Sequence, residues 1–111
     1  MSDVVASFRI EIGPDHPAFA GHFPGRPVLP GVALLAAVLE AAAGEPTLAR
    51  AVGTAPRLGV VKFLAPVEPG ASLAIAFRLG ASALDWQVDA RDRRVASGSI
   101  ARADKGERGV A

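Results

Sequence analysis

The alternation of apolar and polar residues divides the first third of the chain into two unlike segments. In VVASFRIEIG, residues 4–13, the apolar side chains of Phe8, Ile10 and Ile12 alternate with polar ones. This period of two is typical of a strand with one buried face. Residues 13–30 contain a run of closely spaced prolines, and each proline fixes φ and removes a backbone donor. We therefore predict a stiff, ordered loop without regular secondary structure over 13–30.

A helix is predicted from Gly31 to Ala43, where GVALLAAVLEAAA consists mainly of strong helix formers. The segment is apolar on every face except at Glu40, so we expect it to be buried on every side. A helix of this length extends about 20 Å, which is too short to cross a bilayer. Gly44 and Pro46 end it.

The rest of the chain predicts four strands that are connected mostly as hairpins. RLGVVKFLAPVEPG (57–70) gives a strand that ends in a Pro/Gly turn, and SLAIAFRLG (72–80) and ALDWQVDAR (83–91) alternate like the first strand. A tight turn at Asp92–Arg93 leads into RVASGSIARA (94–103). We expect residues 1–103 to form a single domain and residues 104–111 to be a disordered C-terminal tail.

One apolar helix and five strands predict an α+β fold of the hot-dog type, in which one curled antiparallel sheet wraps one central helix. A sheet of about five strands of the usual five or six residues cannot cover such a helix on all sides. A dimer that extends the sheet and packs helix against helix would complete the burial. We therefore expect either a homodimer or a heterodimer with another hot-dog subunit.

Composition excludes several classes of function. The net charge is +1, the aromatic residues are five Phe and one Trp, and no basic block is present, so nucleic acid is not an expected partner. There is no cysteine, hence no thiol nucleophile, and two histidines give no zinc-ligand spacing. No signal peptide or membrane segment is recognisable, and we expect a cytoplasmic protein that does not bind membranes.

Candidate chemistry lies where the proline-rich loop enters the helix. His22 is a loop histidine, whose ordinary pKa suits proton transfer near neutral pH. Gly31 begins the helix, where free N–H groups and the positive end of the helix dipole can stabilise a developing negative charge. The residue types alone leave simpler roles open, because a loop histidine can bind backbone carbonyls and a glycine can merely join loop to helix.

The stretch GHFPGRPVLPGV, residues 21–32, resembles the signature His-Phe-Pro-Gly-x-Pro-x-x-Pro-Gly-Val of 3-hydroxyacyl-(acyl carrier protein) dehydratases of the FabA/FabZ type. VVKFLAPVEPGASL, residues 60–73, is similar to the family's later Lys-Phe strand and Val-x-Pro-Gly turn. The resemblance extends over most of residues 7–103. In size the chain is closer to the ApeI-like branch, because its N-terminal part is short.

The resemblance implies dehydration of a 3-hydroxyacyl thioester at a site between two subunits, without a cofactor or metal. His22 matches the histidine that removes the α-proton, and Gly31 matches the glycine whose N–H polarises the thioester carbonyl. The family's acid lies fourteen residues after the histidine, and here that residue is Ala36. Glu40 lies one helical turn further on the same face and is the candidate replacement.

The absence of a carboxylate at position 36 leaves three functions to distinguish. The first is a dehydratase that acts on thioesters of acyl carrier protein, in fatty acid or polyene-type biosynthesis. The second is a catalytically impaired subunit that binds acyl chains or pairs with a second dehydratase subunit. The third is a hot-dog thioesterase, which hydrolyses the thioester. Exposed cations near the site, from the set Arg26, Arg50, Arg57 and Lys62, would meet an acidic carrier protein.

Overall fold

The protein forms one five-stranded antiparallel sheet with helices packed on it, which confirms the predicted α+β hot-dog fold. The structure, a computed structural model, describes residues 4–13, residue 15 and residues 29–106. The strand order in the sheet is β1-β3-β4-β5-β2. The elements are β1 (Val4–Glu11), α1 (Gly31–Ala43), α2 (Pro46–Val52), β2 (Leu58–Phe63), β3 (Ser72–Leu79), β4 (Ala83–Ala90), β5 (Arg93–Ala101) and α3 (Ala103–Gly106).

The alternation predicted for the strands is confirmed, and it builds the core. The apolar positions of β3 and β4 are buried, whereas the intervening positions are not: Leu73, Ile75, Phe77, Leu84, Trp86 and Val88. Phe8 of β1 adds an edge-to-face contact with Phe77, with ring centroids 5.8 Å apart. Helix α1 has the predicted bounds and packs on this surface through Leu34, Val38 and Ala42.

Helix α2 is not among the predicted elements: Pro46, interpreted from the sequence as a signal that ends α1, begins a second helix. Pro46 occupies the first turn of α2, where its missing N–H costs nothing. The carboxylate of Glu45 accepts a hydrogen bond of 2.9 Å from the N–H of Leu48 and caps the helix. Among the described residues no single helix is long and apolar enough to cross a membrane; only α1 and α2 together reach that length and composition, and they are bent by 117°.

One predicted turn near the C-terminus is wrong. Ala90 pairs with Arg93, so the turn between β4 and β5 is Arg91–Asp92, one residue earlier than predicted, and Arg91 takes the left-handed φ of 59°. The predicted tail, residues 104–111, lies partly in α3 and partly outside the described residues. Arg102 donates two hydrogen bonds of 2.9 Å to the carboxylate of Asp104 and one of 2.8 Å to the carbonyl of Gly80. These bonds hold α3 against the β3–β4 turn, so regular structure continues to Gly106.

The expectation that α1 is buried on every side is wrong for the single chain. The sheet covers one face only, and Val32, Ala36 and Glu40 are exposed, with Val32 at 82%. These residues are four apart and form one line along the helix, which we call the α1 stripe. An exposed apolar line of this kind is typical of a surface that a partner covers.

The β2 strand lies at the end of the sheet and carries apolar side chains that are largely exposed. Within the described sheet it pairs with β5 on one side only. Val60 is 70% exposed, Phe63 53% and Leu64 55%. Edge strands of monomeric proteins are usually protected by charges, bulges or coverage. The β2 edge and the α1 stripe are therefore the two surfaces of this chain with most apolar area left to bury.

Gly98 of β5 lies opposite Trp86 of β4, and we expect its replacement by alanine to destabilise the fold. A Cβ at position 98 would lie 2.5 Å from Cζ2 of Trp86, which is 2% exposed and cannot move outward without opening the core. Overpacking of this kind costs about 1–3 kcal/mol of the free energy of unfolding. Urea denaturation of Gly98→Ala measures it. Gly13→Ala is the matched control, since no atom lies within 4 Å of a Cβ there; equal stability of the two variants would contradict the prediction.

Candidate active site

The structure places Gly31 at the first residue of α1, directly after Pro30. The carbonyl of Pro30 accepts the first hydrogen bonds of the helix, from the N–H groups of Ala33 at 3.0 Å and Leu34 at 3.1 Å. The N–H groups of Gly31 and Val32 precede these donors and are among the four that a helix start leaves without intrahelical partners. Pro30 makes no side-chain cap. Backbone donors at the positive end of the helix dipole can therefore bind an oxygen that develops negative charge.

The connection between β2 and β3 anchors both ends of the segment that carries His22. At the start of that segment, the N–H of Ile12 donates to the carbonyl of Ala71 at 2.8 Å, and Gly70 donates back to Ile12 at 2.7 Å. At its end, the N–H of Leu29 donates to the carbonyl of Val67 at 2.7 Å. Leu29 and Val67 are both buried. The family-like turn VEPGA thus holds the end of β1 and the residues just before α1, on either side of a segment that lies mostly outside the described residues.

Phe63, the last residue of β2, lies against the start of α1. A Cβ placed on Gly31 would lie 2.9 Å from Cζ of Phe63 and 3.0 and 3.1 Å from its two Cε atoms. Any other residue at position 31 would have to displace this ring. The same contact joins the exposed surface of β2 to the α1 stripe. Phe63 belongs to the Lys-Phe pair of the motif, which is the signal that could have identified it from sequence.

The structure does not bring Glu40 together with Gly31 within one chain. Glu40 is exposed on the α1 stripe, nine residues beyond Gly31, which corresponds to about 13.5 Å along the helix axis. Ala36, at the family's acid position, lies about 7.5 Å along the axis from Gly31. Both point away from the core of their own chain. Within one chain, Glu40 is therefore not placed beside the N–H of Gly31.

His22, the third predicted site residue, lies outside the described residues, as does Arg26. Of the other cations considered for carrier-protein docking, Lys62 is exposed in β2 and pairs with Ser97, so its side chain lies on the opposite face of the sheet from Phe63. Arg50 is exposed in α2, which follows the opposite end of α1. The described residues thus include two of the three predicted site residues, Gly31 and Glu40, and one chain does not bring these two together.

Comparison with known proteins identifies a family that matches most of the chain. The family model of ApeI-like proteins, described as ApeI dehydratase, matches residues 2–99. The 3-hydroxyacyl-(acyl-carrier-protein) dehydratase FabZ of Thermus thermophilus is 42% identical over an alignment covering 60% of this chain and 54% of FabZ. FabZ of Thermomicrobium roseum is 34% identical, covering 60% and 47%. The chain spans about half the length of these curated relatives.

Among solved structures, the dehydratase heterocomplex ApeI:P from Xenorhabdus doucetiae contains a similar chain. The TM-score is 0.70 at 23% identity, and the alignment covers 91% of this chain and 96% of the other. This likeness shows the fold, and the family model, which covers most of the chain, shows the family. The protein is therefore a member of the ApeI-like dehydratase family, within the hot-dog dehydratases of the FabZ and ApeI type.

Proposed function

We propose that this chain is a subunit of a dehydratase that converts 3-hydroxyacyl thioesters of acyl carrier protein into trans-2-enoyl thioesters. The observation that carries the proposal is the start of α1. There Gly31 presents uncapped backbone N–H groups at the end of the loop whose sequence matches the dehydratase signature. The fold, the family match and the FabZ relatives support the same reaction class.

In the proposed reaction, the imidazole of His22 removes the proton on C2 of the acyl chain. Electron density moves toward the thioester carbonyl, whose oxygen accepts a hydrogen bond from the N–H of Gly31. The bond between C3 and its hydroxyl oxygen then breaks as the C2–C3 double bond forms. A carboxylic acid gives its proton to the departing hydroxyl, which leaves as water, and the His22 proton finally regenerates that acid through solvent. Atoms and charge balance without a cofactor.

The acid is proposed to be Glu40, acting across an interface between two copies of the chain. It is the sole ionisable side chain of α1, and it lies on the exposed α1 stripe and not in the core. Its distance of about 13.5 Å along the axis from Gly31 of its own chain favours a role in the partner's site. Pairing through the stripe would bury Val32, which is 82% exposed in the single chain.

A mixed pair is the second candidate, and Ala36 favours it. At the family's acid position this chain exposes a methyl group on the α1 stripe. The similar chain from Xenorhabdus doucetiae is part of a heterocomplex. In such a pair, this chain would supply His22 and Gly31 and the other hot-dog subunit would supply the carboxylic acid.

The test is to incubate the purified chain with 3-hydroxyacyl thioesters of acyl carrier protein over several chain lengths and to measure product mass. Loss of one water without release of free thiol is the expected result, and free thiol would indicate a thioesterase instead. Activity of the single chain supports the homodimer, whereas activity that requires a second hot-dog subunit supports the mixed pair. No dehydration in either form would overturn the proposed function.

A further inference from the structure

We propose that Phe63 is a positioning residue that forms one wall of the site for the thioester carbonyl oxygen. The inference rests on the proposed function and deepens it, because it assigns a residue that sets the surroundings of the Gly31 N–H. Phe63 is not part of the predicted acid–base pair. Its assignment comes from the contact between the end of β2 and the start of α1.

The position of Phe63 in β2 directs its side chain toward the helix. Phe63 pairs with Ala96 and Val61 pairs with Gly98, so all four lie on the same face of the sheet. Ala96 is fully buried, and Val61 packs partly buried against the core. Phe63 therefore extends from the inner face of the sheet, and its outer ring atoms, Cζ and both Cε, are those nearest to Gly31.

The ring is half exposed, which separates it from the core aromatics. Phe77 is fully buried, whereas Phe63 is 53% exposed. One face of the ring therefore lies against the start of α1, and about half of the residue is accessible to a ligand. Phe63 thus lies beside the start of the helix and does not fill the core.

An apolar ring in this place affects an oxygen bound by the Gly31 N–H. It excludes water from one side, which lowers the local dielectric constant and strengthens the hydrogen bond. This effect grows as negative charge develops on the oxygen, so Phe63 should influence turnover more than ground-state binding.

The test compares Phe63→Leu and Phe63→Ala with the control Gln87→Ala, in whichever pairing is active. Gln87 of β4 lies between the buried residues Trp86 and Val88, so its side chain is on the opposite face of the sheet from the core. We expect Phe63→Ala to lower kcat about tenfold or more with KM changed less than about threefold, as for small displacements at a reacting centre. Phe63→Leu should retain most of the activity, and Gln87→Ala should match the wild type.

A spectroscopic readout keeps the inference separate from the proposed function. An isotope-labelled enoyl thioester, the reaction product, is bound to each variant, and the infrared frequency of its carbonyl is measured. Polarisation by Gly31 lowers this frequency, and we expect Phe63→Ala to lose part of the shift while keeping the same oligomeric state and melting temperature within a few degrees. A wild-type protein that polarises the carbonyl but does not dehydrate would contradict the proposed function alone. Unchanged kcat and an unchanged carbonyl frequency in Phe63→Ala would overturn the role of Phe63.

Discussion

Replacement of His22 by alanine is expected to lower dehydration turnover by about 10² to 10⁴, the range for losing a general base. Removal of a proton next to a thioester carbonyl needs a base whose pKa lies near the working pH, and imidazole is the side chain that meets this condition without a shifted pKa. The substrate should still bind, because the N–H of Gly31 is unchanged. The variant therefore tests chemistry separately from affinity, through kcat at saturating substrate.

The matched control for this variant is His16→Ala, the other histidine of the chain. It lies in the same proline-rich segment but does not match a position of the dehydratase signature. We expect its turnover within about twofold of the wild type, well below the effect of losing an acid–base group. Added imidazole should restore part of the activity of His22→Ala and leave His16→Ala unchanged. Equal loss in both variants, or full activity of His22→Ala, would show that His22 is not the base.

The fold followed from the sequence where local preference and burial agree. The apolar helix has its predicted bounds, Gly31 to Ala43, and the alternation in β3 and β4 marks the buried face correctly. Helix α2 was not predicted because a proline such as Pro46 can either end one helix or begin the next. Its role is decided by the cap that Glu45 provides. The turn at Arg91–Asp92 depends on a left-handed arginine, which no residue preference at that position indicates.

The candidate site was predictable only in part. The glycine at the helix start could be assigned from the motif, because a helix beginning after a proline leaves backbone donors without partners. The distance between Gly31 and the carboxylate of Glu40 could not be predicted from the sequence, because it depends on whether the two groups belong to the same chain. Periodicity places Ala36 and Glu40 on one helix face, but only the exposed fraction of that face shows that it is turned away from the core. Phe63 was missed because its contact with Gly31 joins residues that are far apart in sequence.

Loss of the group that protonates the departing hydroxyl is expected to have the second large effect on turnover. If the chain works as a homodimer, Glu40→Gln should lower turnover by about 10² or more, because glutamine keeps the shape of the side chain but cannot donate that proton. The dimer should persist, since Val32 and the β2 edge are untouched; sedimentation or light scattering would verify this. Turnover is measured with the same thioester that the wild type dehydrates.

A second substitution distinguishes a missing acid from a damaged surface. Ala36→Glu puts a carboxyl group at the family's acid position, on the same stripe and one turn nearer to Gly31. When Ala36→Glu is combined with Glu40→Gln, turnover should be at least about tenfold higher than in Glu40→Gln alone. The reaction requires a positioned proton donor and not a particular residue number. In a mixed pair, the partner already supplies the acid, so Glu40→Gln should leave turnover near that of the wild type while His22→Ala abolishes it. That outcome would exclude Glu40 as the acid and place the proton donor on the other subunit or on water.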